Sequence, residues 1–311
     1  MDKIATRDAY GEKLAELGGR LENIVVLDAD LAKSTKTIVF KKKFPERFFD
    51  MGIAEQNLIG TAAGLSLAGM IPFASTFAVF ATGRTYDQLR NTVCYSKLNV
   101  KVVSTHAGLT VGEDGASHQA LEDISLARVL PNMAVVVPAD AVETQGVLDF
   151  AATYEGPMYI RLGRPKVPVI MDDNYSFALG KGTVLRQGSD ASIIAAGITV
   201  AFALEAANIL QEKGLNVEVI NMACIKPLDS TLLIESARKT GAVVTAEEHS
   251  IIGGLGSAVA EVLCENVSVP MERVGVRDTF GESGAPDELL EKYGLTPRHI
   301  ARAVEKVVGR K

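Results

Sequence analysis

The segment STHAGLTVGEDGASHQALED, residues 104–123, concentrates side chains that can do chemistry. It holds His106 and His118, two of only four histidines in the chain, with Glu113 and Asp114 between them and Gly108, Gly112 and Gly115 spaced along it. Imidazoles beside carboxylates donate hydrogen bonds to hydroxyls or exchange protons near neutral pH, and glycines let such a loop approach a ligand closely. A solvated loop with helix-capping histidines has the same composition, and the spacing fits no standard metal-ligand set. A second candidate is Glu55 in FFDMGIAEQNLIGTAAGLSLAG, after which no charged residue occurs until Arg84. A carboxylate on an apolar helix face is costly unless paired, and burial raises its pKa. The bland alternative is a first-turn glutamate favoured by the helix dipole. The glycines of IIGGLGSAVAE, Ile251 to Glu261, fit either an anion cradle or a tight strand-to-helix turn.

Positioning such groups requires a rigid frame, and the hydropathy pattern supplies one. Short β-branched runs alternate with longer helical windows, the signature of βαβ units and a mainly parallel sheet. Strands are expected at Ile24 to Leu27, Ile71 to Ala74, Val100 to Ser104, Ala134 to Val137 and Met158 to Leu162. Helical windows fall at about 53–69, 78–96, 119–129 and 140–154, the last capped by Asp140. The loop carrying His106 thus begins at a strand's carboxyl end, where open α/β sheets bind ligands. RPKVPVIMDDNYSFALGKG breaks the periodicity and reads as a connection. Beyond it the alternation resumes: DASIIAAG, NVEVINMA and GAVVTAEE as strands, TVAFALEAANILQEKG as a helix stopped by Gly214, and a further helix from about Ser257 to Glu265. The expected architecture is α/β, two tandem doubly wound domains, with a first domain over 1–168, a linker over 169–186 and a second domain over 187–311.

Composition bounds the rest. The 311 residues suit about two domains at ~150 residues each, and 47% apolar against 23% charged residues is the balance of an ordered globular chain. A net charge of −6 argues against a nucleic-acid partner, because phosphate-backbone binders carry a basic excess. Three scattered cysteines, Cys94, Cys224 and Cys264, without CxxC spacing, and an N-terminus without an apolar core segment, point to a reducing, cytoplasmic setting. The uncharged stretch from Gln56 to Gly83 is long enough to span a bilayer. Pro72 at its middle and several hydroxyl residues instead indicate a buried helix followed by a buried strand, so no membrane partner is expected. Lys41, Lys42 and Lys43 read as a solvated cluster.

Dinucleotide (GxGxxG after a strand), nucleoside-triphosphate (GxxxxGK[ST]), zinc-protease (HExxH) and serine-hydrolase (GxSxG) signatures are missing. What is present, THAGLTVGEDGASHQ followed by LARVLPNMAVVVPAD, resembles the substrate loop of transketolases. DMGIAEQN resembles their cofactor-glutamate segment, IPFASTFAVF their aromatic pocket and FGESGAPDELLEKYGLT their C-terminal signature, so the resemblance runs along nearly the whole chain. It implies a pyrimidine-binding domain followed by a transketolase C-terminal domain, and thiamine diphosphate as cofactor, with Glu55 as the catalytic carboxyl toward the aminopyrimidine. Phe77 and Phe80 match aromatic positions against the pyrimidine ring, Gly83 stands where a third aromatic is usual, and Asp30 matches a position near the cofactor. His106, Asp114 and His118 match donor-sugar contacts, with His118 also placed for proton transfer. Arg7, Ser34 and Arg164 match contacts to the substrate's phosphate end, where a guanidinium fork suits the group.

The pyrophosphate-and-metal motif of thiamine enzymes, GDG with a later Asn, does not occur. The resemblance is therefore to the C-terminal half of a split transketolase. It implies an N-terminal transketolase subunit as partner, carrying the diphosphate site and its Mg²⁺ or Ca²⁺ while this chain holds no metal, an α2β2 heterotetramer, and transfer of a two-carbon ketol unit between sugar phosphates. The alternatives are the β-subunit of a 2-oxoacid dehydrogenase first component, which shares AEQN and EEHSIIGGLGS but needs no hydroxyl-binding array, and a non-catalytic transketolase-like binding partner. Deoxyxylulose-phosphate synthase, a third relative, has another residue pair in place of Thr105-His106.

Overall fold

A computed structural model describes residues 2–172 and 174–311. Seven strands form the first sheet, in the spatial order Cys224–Lys226, Ala134–Val136, Met158–Arg161, Lys101–Thr105, Ile71–Phe77, Ile24–Asp28 and Phe48–Asp50. All pair in parallel except the edge strand Cys224–Lys226, which runs antiparallel to Ala134–Val136. The five expected strands are present, and their unbroken apolar runs reflect burial on both faces. Tyr10, Leu14, Phe73, Val103 and Leu148 pack on one side; Leu27, Leu58, Ile59, Val102 and Tyr159 pack on the other.

The second sheet has the order Met271–Val276, Val243–Ser250, Ala191–Ala195, Val217–Asn221 and Thr183–Arg186, the last antiparallel. Helices Thr199–Glu212, Ser230–Thr240, Leu255–Asn266 and Pro297–Val308 flank it. Gly214 follows the first of these with φ +80°, in the left-handed region that favours glycine. The chain is therefore α/β with two tandem sheets wound on both faces.

Several local expectations need correction. Window 119–129 is helical only over Asp123–Arg128, because Gln119 and Ala120 are committed to the preceding loop: Gly108 N donates to Ala120 O at 3.0 Å. Window 78–96 splits into Ala78–Gly83 and a π-helical Gln88–Cys94. The segment expected as a connection contains the strand Thr183–Arg186 of the second sheet. It is also fastened to the first sheet's side, since Asp140 caps its own helix through Glu143 N and accepts from Ile170 N and Met171 N at 2.7 Å each. The uncharged stretch forms the helix Glu55–Leu67 and the strand Ile71–Phe77, and no described helix is long and apolar enough to cross a membrane.

Candidate functional site

Parallel pairing aligns the carboxyl ends of four strands. Asp28 lies opposite both Asp50 and Ser75, and Phe77 lies opposite Thr105. The segments that leave these ends carry Asp30 and His106 in loops, Glu55 at a helix start and Phe80 in the short helix Ala78–Gly83, while Arg164 follows the neighbouring strand Met158–Arg161. One edge of the first sheet thus collects the singled-out residues, with Arg7 reaching in from the helix Thr6–Arg20.

His106 sits at the centre of this row. It is 3% exposed, and its φ of +56° is a costly backbone for a non-glycine residue. Its ring stacks on Phe77 with centroids 3.9 Å apart, Nε2 lies 3.3 Å from Arg7 Nη1 and Nδ1 lies 2.8 Å from Thr105 Oγ1. A guanidinium only donates, so Nε2 accepts and Nδ1 carries the proton that goes to Thr105. Burial, followed by the positive charges of Arg7 and Arg164, pushes the imidazole pKa down to about 3. His106 is therefore a neutral, oriented ring. Arg7 also donates to Ser34 O at 3.0 Å, which ties the three residues into one contact.

The turn that presents Ser34 is built on Asp28, which the sequence reading passed over. Its carboxylate accepts from Leu31 N at 2.6 Å and from the hydroxyls of Thr35 and Thr37 at 2.6 and 2.8 Å. Burial raises its pKa to about 6 against these hydrogen bonds. Asp50, also missed, accepts from Asp30 N and Gly52 N at 3.1 Å each and so pins the Asp30 turn to the loop entering Glu55. Asp30 itself is exposed, with φ +60°, and only its backbone joins this network.

Glu55 opens its helix and is 5% exposed. A carboxylate at this place is costly unless paired, and it is paired: Arg84 Nη1 lies 2.9 Å from its Oε1. The partner is the next charged residue in the sequence, and that absence of other charges was the available signal. Arg84 lies over the Phe80 ring, Cζ 4.2 Å from the centroid. Ile53, Ala54, Gln56 and Asn57 join the pair around a cleft of about 480 Å³. Phe77 and Phe80 stack at 6.1 Å, and the edge of His118 meets Phe80 at 5.3 Å. Contacts therefore run continuously from Glu55 through Arg84, Phe80 and Phe77 to His106 and Arg7.

The loop after His106 coils as two short 3-10 turns within Leu109–Asp114, broken by a kink at Gly112. Asp114 and Glu113 are exposed beside Arg164, whose Nη1 lies 3.9 Å from Asp114 Oδ2 and 3.2 Å from Glu113 Oε2. His118 is half-buried, its Nδ1 3.0 Å from Ser117 Oγ. In the IIGGLGS turn the helix start is filled from within: Glu247 accepts from Leu255 N at 2.7 Å and Gly256 N at 2.8 Å. That internal carboxylate takes the place of an outside anion. Among the described residues, no three His, Cys, Asp or Glu side chains gather where they could hold a metal ion.

Fold and geometry define a two-domain α/β protein that gathers polar and aromatic side chains along the carboxyl edge of its first sheet. Residues 2–169 match the transketolase pyrimidine binding domain and residues 180–300 the transketolase C-terminal domain. A chain of Methanocaldococcus jannaschii described as a transketolase C-terminal section is 51% identical, over 96% of this chain and 94% of its own. The 6-deoxy-6-sulfo-D-fructose transketolase subunit SqwH of a Clostridium species is 46% identical, over 98% and 95%. Among solved structures, a split gene transketolase described as an inactive β4 tetramer superposes with a TM-score of 0.93 at 61% identity, covering 98% of this chain and 99% of its own. Transketolase from Leishmania mexicana superposes at 0.85 and 26% identity, with this chain spanning 46% of it. The chain belongs to the transketolase family.

Proposed function

We propose that this chain is the C-terminal subunit of a split transketolase, moving a two-carbon ketol unit from a ketose phosphate to an aldose phosphate together with a separate N-terminal subunit. The observation that carries the reading is the continuous row from Glu55 to Arg7, one carboxylate and two aromatic faces at one end and hydroxyl- and anion-binding side chains at the other. The first end fits the aminopyrimidine of thiamine diphosphate, through Glu55, Phe77 and Phe80, with Asp30 nearby. We assign the diphosphate and its Mg²⁺ or Ca²⁺ to the partner subunit, because the GDG motif with a later Asn that holds them in thiamine enzymes does not occur in this sequence.

When bound, thiamine diphosphate supplies a nucleophilic carbon for the ketose carbonyl. Glu55 holds a proton against the aminopyrimidine ring nitrogen on Oε2, while Oε1 goes on accepting from Arg84. His106 and Asp114 bind donor hydroxyls, and His118 passes a proton to or from the sugar oxygen. Arg7, Ser34 and Arg164 receive the anionic end of the substrate. SqwH, by its name, handles a sulfo sugar, and a guanidinium accepts a sulfonate as readily as a phosphate. We place the assembly, an α2β2 heterotetramer, in the cytoplasm.

Mixing the chain with its N-terminal subunit is the direct test. Ketol transfer from xylulose 5-phosphate should appear in the mixture and be absent from either chain alone; tight Mg²⁺-dependent cofactor binding by this chain alone would sink the split reading. In the reconstituted enzyme Glu55→Gln should slow hydrogen-deuterium exchange at cofactor C2 by roughly 10²-fold or more, since an amide cannot relay that proton. An unchanged exchange rate would return Glu55 to a structural role.

A further inference from the structure

The second domain places no side chain in the row at the sheet edge, yet it forms the wall behind the loop that carries Asp114 and His118. Three glycines bend this loop with positive φ, and each turns its open side toward the second domain. A Cβ on Gly108 would stand 2.3 Å from Glu248 Cδ, one on Gly115 2.5 Å from Ser283 Oγ and one on Gly112 3.3 Å from Pro286. Thr110 N donates to Glu248 Oε1 at 2.6 Å. Gln119 Nε2, at the loop's far end, lies 3.2 Å from Leu109 O and Gly112 O and 2.9 Å from Glu282 O. Leu109 and Leu121 are buried in one cluster with Leu289, Leu290 and Val244. Glu248 is held in turn: Arg161 Nη2 donates to its backbone oxygen at 2.9 Å while the same guanidinium pairs with Asp123.

We propose that the second domain is the mould of the donor loop, and that Glu248 is a positioning residue for substrate through its hydrogen bond to the Thr110 amide. The role in substrate binding rests on the donor reading of this loop. A 3-10 segment flanked by left-handed glycines has little intrinsic preference for one shape. Its shape here comes from packing: the Glu248 carboxylate and the buried Leu289 and Leu290 of the second domain meet it from outside, and Gln119 at its own far end ties it to the Glu282 carbonyl. Deleting the Glu248 carboxylate leaves a buried amide donor without a partner, and the loop relaxes outward to find water.

The test compares Glu248→Ala and Glu248→Gln with the parent in the reconstituted two-subunit enzyme, reading amide hydrogen exchange over residues 108–119 and steady-state kinetics with a ketose phosphate donor. Glu248→Ala should raise exchange in this loop at least tenfold and the donor KM about tenfold, with cofactor affinity within twofold of the parent. Glu248→Gln, which keeps an acceptor for the Thr110 amide, should recover most of both and guards against simple misfolding. Loop exchange unchanged in Glu248→Ala overturns the proposal. So does raised exchange with an unchanged donor KM, provided His118→Ala raises that KM. If His118→Ala leaves the donor KM unchanged, the donor reading itself fails, and the role of Glu248 in substrate binding fails with it.

Discussion

At the residue scale, environment decides what each polar group can do. Two histidines on one loop have different surroundings. His106 is buried, stacked and fed a hydrogen bond by a cation, so it gains a proton only near pH 3. His118 lies half-buried at the rim with one hydroxyl neighbour. Because its pKa is depressed, His106 stays neutral throughout the working range and cannot contribute an ionisation to a pH-rate profile between pH 5 and 9. His106→Asn should therefore lower kcat/KM for the donor while leaving the apparent pKa values of the profile in place. Loss of a limb of the profile in that variant would contradict the neutral assignment. Its other consequence is for stability: an unfolded chain protonates this imidazole near pH 6.5 and the folded one does not, so stability present above pH 6.5 is lost as pH falls toward 3.

At the scale of elements, a few buried charges couple segments that are remote in sequence. Asp123, the first residue of its short helix, accepts from Tyr159 OH and Arg161 Nε at 2.7 Å each, and Arg161 in turn donates to Ala120 O and Glu248 O. Burial would raise the Asp123 carboxyl, but the Arg161 guanidinium, His249 and the Tyr159 hydroxyl together hold the pKa below the usual range. One ion pair thus joins a strand of the first sheet, the end of the loop after His106 and the second domain. Asp123→Ala strands a buried guanidinium and should cost about 3–5 kcal/mol of unfolding free energy, read by urea denaturation. A cost under about 1 kcal/mol would mean that water reaches Arg161 in the variant. The neighbouring Asp140 was legible as an N-cap because Asp before AVETQ is a local signal. Its second task, holding Ile170 and Met171, was not, because that contact spans some thirty residues of chain.

At the scale of the whole molecule, the helix Glu55–Leu67 leaves an uncharged face in the open. Ile53 and Leu67 are 78% and 75% exposed, and no atom lies within 4 Å of a Cβ built on Gly60 or Gly64. Glu55 begins this helix, and its proposed cofactor is anchored on another chain, so that chain must come close to this face. Gly60→Glu should leave the fold intact, even favouring the helix by up to ~1 kcal/mol, yet weaken assembly with the N-terminal subunit at least tenfold in sedimentation experiments. Undiminished assembly would place the interface elsewhere.

The local chemistry of the chain was enough to establish its α/β alternation and the five strands of the first sheet that it marked, and to single out polar residues that the fold brings to their carboxyl ends, because apolar runs, caps and short motifs are written in adjacent positions. Tertiary structure alone decided the partners. Arg84 reaches Glu55 across 29 positions and Arg7 reaches His106 across 99. The edge strand Cys224–Lys226 closes the first sheet from within the second domain's sequence. The loop after His106 meets Glu248, which accepts from the Thr110 amide across 138 positions. A hydrogen bond or ion pair depends on distance in space, and only the folded chain sets that distance. Periodicity shows which side a residue faces, not what it will find there.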